Sequence, residues 1–247
     1  MKRLQAAQDT MKKFTSNHLL PYDQEMKEIM SAHIFHDIYN HGQLSFELRE
    51  YITIAVMCAN GNHRLLYDHI VCLLERNITL EVIKEVIYHT IPYVGILKVD
   101  DALYYINKKL IQDGYDIHTT SQASVREATR FRAGFEIQCD LFTREKIQEN
   151  HDTASDTKHI QNYLSAHCFG DFYTRLGLDL KTRELLTFCV IASLGGCESQ
   201  LRSHTIANRS IGNTKEVMMD AITQCQPYIG FPRTLNAIQV IECVCGL

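Results

Sequence analysis

The chain has 247 residues, 45% of them hydrophobic and 22% charged, with a formal net charge of -4. That is enough to bury one large core or two small ones, and too acidic to offer a field to nucleic acid or an anionic membrane. No apolar run approaches the roughly 18 residues of a membrane span, and Met1 to Phe14 lacks the apolar stretch of a secretory signal, so a cytoplasmic protein is expected. The nine cysteines are odd in number and scattered, which reads as buried thiols rather than a disulfide framework.

In chain order, a weakly periodic lead-in of roughly 30 residues reaches Ser31-Ala32-His33-Ile34-Phe35-His36-Asp37-Ile38-Tyr39, then Arg49-Glu50. His69 follows, Thr79-Leu80-Glu81 starts a further helix, and Pro92-Tyr93 and Gly95 come next. Asp113-Gly114 signals a turn and Thr119-Thr120-Ser121 is polar, which places a unit boundary between Asp113 and Ser124. The expected units are 1–115 and 124–247.

The second unit writes the first again. Ser165 to Tyr173 lies 134 positions after Ser31 to Tyr39, with the pattern S-A-H-x-F-x-D-x-Y shared, and Arg183-Glu184 repeats Arg49-Glu50 at that spacing. From His69 and His204 onward the displacement is 135, through Glu81/Glu216, Pro92-Tyr93/Pro227-Tyr228, Gly95/Gly230 and Ala102/Ala237. A one-residue slip fits the glycine turns Asn60-Gly61-Asn62 and Leu194-Gly195-Gly196.

In the second copy, Leu185, Leu186, Cys189, Ala192 and Ser193 recur at helical spacing, with Asp179 or Thr182 as cap and Gly195-Gly196 as stop. A second helix is expected from Cys197 to about Arg209. A third starts at Thr214, and a last helix opens at Pro232 and Thr234 and runs from Leu235 to about Val244. The first copy repeats this plan. No alternating strand pattern persists, so the fold class is all-α.

The constellation with most chemical content is Glu184, Cys197 and His204. Cys197 and His204 are seven apart, on one helix face, with Gln200 between them. A thiol beside a helix N-terminus gains thiolate character, and Glu184 is placed to relay protons through the imidazole. The plain alternative is a buried thiol, a core histidine and a Glu184 paired with Arg183. The first copy keeps Glu50 and His69 but has Asn62 or His63 in place of the thiol. Cys243-Val244-Cys245 offers a resolving thiol or merely an apolar tail. His33, His36 and His41 lack a completing ligand pattern. No phosphate loop or nucleophile elbow occurs, and no metal or cofactor is expected.

Arg183-Glu184-Leu185-Leu186-Thr187, Gly195-Gly196-Cys197-Glu198, His204 and Pro227-Tyr228-Ile229-Gly230-Phe231-Pro232 resemble the carboxymuconolactone decarboxylase family, within the alkyl hydroperoxidase D-like superfamily. The first copy shares the resemblance but has Gly95-Ile96-Leu97 where the Phe-Pro pair would stand. The resemblance implies two tandem helical repeats of that type and a homo-oligomer, either a trimer acting as a pseudo-hexamer or a dimer. It implies a small-molecule substrate, with Glu184, Cys197 and His204 at the Glu, first Cys and His positions of the peroxidase branch and Gln200 at its second Cys. Three functions follow. One is a lyase that decarboxylates a small carboxylated lactone, with His204 as acid/base, Glu184 its partner, and Arg183 or Arg202 a carboxylate clamp. Another is a peroxiredoxin-type thiol peroxidase using Cys197. The last is a non-catalytic oligomeric binding module.

Overall fold

The computed structural model describes residues 2–12 and 23–246. The outermost ends of the expected units, and part of the N-terminal stretch through Phe14, lie outside the described residues. Every regular element among the described residues is helical. The first copy comprises α1 (Lys2–Met11), α2 (Gln24–Ala32), α3 (Phe46–Asn60), α4 (Leu66–Leu74), α5 (Leu80–Tyr88), α6 (Ile91–Val94) and α7 (Ile96–Gln112). Residues 115–126 carry no regular structure. The second copy comprises α8 (Arg130–Phe142), α9 (Arg144–Thr153), α10 (Lys158–Tyr163), α11 (Leu180–Leu194), α12 (Glu198–Ser210) and α13 (Lys215–Cys245). No described helix is long and apolar enough to cross a membrane.

The helix starts follow local chemistry. Asp179, not Thr182, caps α11, its Oδ1 accepting from the Thr182 amide at 2.7 Å, and Ser45 caps α3 at the equivalent place. Thr214 caps α13 through the Val217 amide. Both copies bury their central helix on nearly every face: Ile52 to Ala59 of α3 and Leu185 to Ser193 of α11. A helix apolar all round belongs in a core. These two pack against each other, and one continuous hydrophobic cluster takes in residues of both copies, from Ile52 to Ile241.

Two features depart from the expected plan. The last two helices of the second copy run on as the single element α13, kinked at Gly230 (φ 78°, ψ 164°). Gly95 takes the same angles where α6 gives way to α7. Only glycine takes that conformation without strain, so the corner recurs in both copies. The lead-in is also more regular than its pattern suggests. α2 continues into a π-helical stretch, His33–Ile38, and α10 into Leu164–Tyr173. A π-helix has no 3.6-residue period, which is why the shared S-A-H-x-F-x-D-x-Y motif gave no helical signal.

In the second copy α8 crosses this π-helical stretch at glycine against glycine. A Cβ on Gly134 would meet the Ser165 carbonyl oxygen and the Gly170 backbone, and one on Gly170 would meet the Arg130 carbonyl. Backbone on both sides has nowhere to go. Gly134→Ala should therefore cost about 1–3 kcal/mol or more, as overpacking does, read as a lower denaturation midpoint in urea. An unchanged midpoint would show that the crossing is not tight.

Candidate active site

Glu184 sits mid-core on α11, fully buried. Its Oε1 accepts from His204 Nδ1 at 2.5 Å and its Oε2 from the Tyr173 hydroxyl at 2.7 Å. A carboxylate can only accept, so Nδ1 carries the proton and Nε2 keeps its lone pair. The imidazole is placed from behind as well. Asn208 donates to the main-chain carbonyls of Glu184 (3.0 Å) and His204 (2.8 Å), tying α11 to α12, and the ring of Phe142 stands edge-on to His204. Half-buried His204 lines a cavity of about 570 Å³ walled by Phe142, Leu164, Phe169, Ile191 and Leu194, with Lys146 and Asn150 also on its lining.

The first copy builds the same pair. His69 Nδ1 donates to Glu50 Oε2 at 2.7 Å and Tyr39 donates to Glu50 Oε1 at 2.5 Å. Both histidine side chains are largely buried, 8% exposed at His69 and 12% at His204.

Each site borrows from the other copy. Tyr93, from the first copy's Pro-Tyr pair, lines the second copy's cavity. Its hydroxyl lies 2.9 Å from that of Tyr173 and accepts from Thr187 at 3.0 Å, and Thr187 and Tyr173 are 2.7 Å apart. Tyr228 reciprocates, lying against Thr53 and Glu50. Burial above all, then Cys168 and Glu184, pushes the Tyr93 hydroxyl well above the usual phenol range, so it remains a neutral donor. Burial likewise pushes the cavity-lining Cys168 thiol up to about 12.

Behind Thr187 stands His89. Its Nε2 faces both the Arg183 carbonyl and Thr187 Oγ1 at 2.9 Å, so Nε2 carries the hydrogen. Arg183 Nη1 lies 3.5 Å from its Nδ1. Gln224 plays this part in the first site, donating to Thr53 (3.1 Å) and accepting from Arg49 (3.1 Å).

The structure corrects the expected carboxylate clamp. Arg183 is fully buried and bonded to Glu85 (3.1 Å) and to the carbonyls of Arg175 and Leu176, so it cannot reach a ligand. It does not pair with Glu184. Arg202 is exposed and donates to the Cys243 sulfur, away from the cavity lining. Lys146 on α9 is the cation on the lining. Cys197 is the N-cap residue of α12, half-buried, and shares the cavity with Gln200 and His204, but no hydrogen bond joins its sulfur to His204. His33 bonds to Asp37 and Gln226, and His36 to Asp37. Tyr93, Tyr173 and Thr187 went unread as site residues, although each repeats as Tyr228, Tyr39 and Thr53. Identity between the copies at buried polar positions was the available signal.

Burial first, then the Arg183 charge, pushes the His89 pKa well below 6.5. The folded protein therefore refuses a proton that the unfolded chain accepts, and stability falls as pH drops below 6.5. His89→Gln, which copies Gln224, should keep both hydrogen bonds and remove this dependence. Relative to wild type, the variant should gain up to about 1.4 kcal/mol per pH unit on acidification below 6.5, measured by urea unfolding from pH 7 to 5. Parallel pH curves would refute a neutral buried His89.

The model of the carboxymuconolactone decarboxylase family matches residues 24–107 and again 158–242, together more than half of the chain. Among curated relatives, the 4-carboxymuconolactone decarboxylase of Acinetobacter baylyi is 28% identical over 119 residues, which is 48% of this chain and 88% of that one. Two matches in tandem, each holding a Glu-His pair on equivalent helices, place this chain in the carboxymuconolactone decarboxylase family, with the family unit present twice.

Proposed function

We propose that the second copy's cavity decarboxylates a small carboxylated lactone or a close relative, with the Glu184–His204 pair moving the proton. The observation that carries this reading is the buried carboxylate holding Nδ1 of a histidine that lines the cavity. Breaking the bond to the carboxylate releases carbon dioxide and leaves its electron pair on the ring carbon, which must take one proton. His204 Nε2 takes up one proton from solvent, Glu184 stabilises the transient imidazolium, and Nε2 then delivers that proton to the carbon. The apolar walls favour loss of a hydrated charge as neutral carbon dioxide. Lys146 meets the anionic substrate. Its ammonium pairs with Glu149 at 2.9 Å, an exposed pair that holds it weakly. Lys146, Phe142 and Asn150 lie between the two family-matched stretches, so this wall belongs to the chain rather than to the shared unit. The relative's name supplies the first substrate to try.

A second reading keeps the thiol in play, because Cys197 and His204 line one cavity. It would make Cys197 a single-thiol peroxidase. The exposed apolar side chains Met26, Ile29 and Ile96 recur at the equivalent positions Ile160, Tyr163 and Phe231. Their recurrence supports self-association as a dimer or a trimer of two-unit chains.

Carbon dioxide release from 4-carboxymuconolactone is the direct test. His204→Ala should lower kcat by about 10²–10⁴-fold, and activity surviving in that variant would sink the assigned role. Cys197→Ser should leave turnover within about twofold of wild type. A Cys197→Ser protein that loses peroxide reduction while never releasing carbon dioxide would instead establish the thiol reading. Lys146→Met should raise KM by about tenfold, the worth of roughly 1.4 kcal/mol, with kcat little changed.

A further inference from the structure

We propose that Tyr93, supplied by the first copy, is a catalytic residue of the second copy's site that donates its hydroxyl hydrogen to the carbonyl oxygen of the bound lactone. The inference rests on the lactone reading above and names the group that would receive the developing negative charge.

Three hydroxyls, Tyr93, Tyr173 and Thr187, form a closed triangle with edges of 2.9, 2.7 and 3.0 Å. Tyr173 must donate to Glu184. Two arrangements of the remaining hydrogens satisfy that demand. With the cavity empty of ligand, Thr187 donates to Tyr93 and Tyr93 to Tyr173. When an acceptor arrives, Thr187 donates to Tyr173 instead, and Tyr93 turns its hydrogen to the newcomer. Each arrangement contains three hydrogen bonds, so releasing Tyr93 to a ligand leaves no buried hydroxyl short of a partner. His89 donates to Thr187 in both.

The position suits the task. Tyr93 lines the cavity, and its ring stands edge-on to His204 with centroids 6.3 Å apart. Its hydroxyl lies 3.8 Å from the sulfur of Cys168, another lining residue. Loss of carbon dioxide beside a conjugated lactone carbonyl spreads the electron pair onto the carbonyl oxygen. A fixed neutral donor there, with its hydrogen kept on the phenol oxygen throughout, strengthens its bond as the charge grows. His204 then faces the carbon and Tyr93 the oxygen.

Tyr93→Phe keeps the ring and removes the hydroxyl. It should lower kcat for 4-carboxymuconolactone by about 10²–10³-fold, as loss of one oxyanion donor does, with KM changed less than threefold. A second readout needs no turnover. The infrared carbonyl band of 2(5H)-furanone bound to the full chain should lie lower in wild type than in Tyr93→Phe. Equal bands, or no binding of the lactone by the wild type, would overturn the inference. A lower wild-type band with no decarboxylation of any substrate would instead overturn the reaction and leave the donor in place. Full turnover in Tyr93→Phe would overturn the donor and leave the reaction.

Discussion

A charged carboxylate in the middle of a hydrophobic core governs how this molecule is put together. Burying an isolated carboxylate is prohibitive unless every lone pair that matters meets a donor. Glu184 solves this with a phenol on one oxygen and an imidazole N–H on the other. Each donor then makes a demand on the backbone. Tyr173 ends a π-helical stretch, and His204 is held by the Asn208 bridge between α11 and α12. Glu50 repeats the arrangement with Tyr39 and His69. The polar centre is thus a constraint that the helices around it obey.

The same requirement binds the two copies to each other. A tyrosine at the end of one carboxylate's hydrogen-bond chain is supplied by the opposite copy, as Tyr93 for the second and Tyr228 for the first. Arg183, fully buried, finds its counter-charge in Glu85 across the same boundary, and Arg49 faces the charge of Asp220. Removing one partner of such a pair leaves an uncompensated buried charge. Covalent fusion of the copies keeps these crossed partners at a fixed high local concentration.

The second copy's cavity draws on helices that lie between the two family-matched stretches. α8 and α9 lie over the second site, held close by the Gly134–Gly170 crossing, and bring Phe142, Lys146 and Asn150 to its lining. His36 stands where Gly170 stands, so the first copy cannot repeat that glycine contact. His204 lines this walled cavity among the described residues.

By itself the sequence determined what short-range chemistry controls. The all-helical class, the start at Thr214 and the stop at Gly195-Gly196 are written in residues a few positions apart, and the duplication in the order of such local patterns. The Glu-His pairing was legible as well, because both members recur, at displacements of 134 and 135. Tertiary structure alone decided the rest. Arg183 reads as a ligand clamp until Glu85, 98 residues away, is seen to hold it. Tyr93 carries no local sign of a role until it meets Thr187, 94 residues on. Lys146 has no motif at all. No local period records such contacts, since their geometry exists only once two helices from opposite copies close on a buried carboxylate.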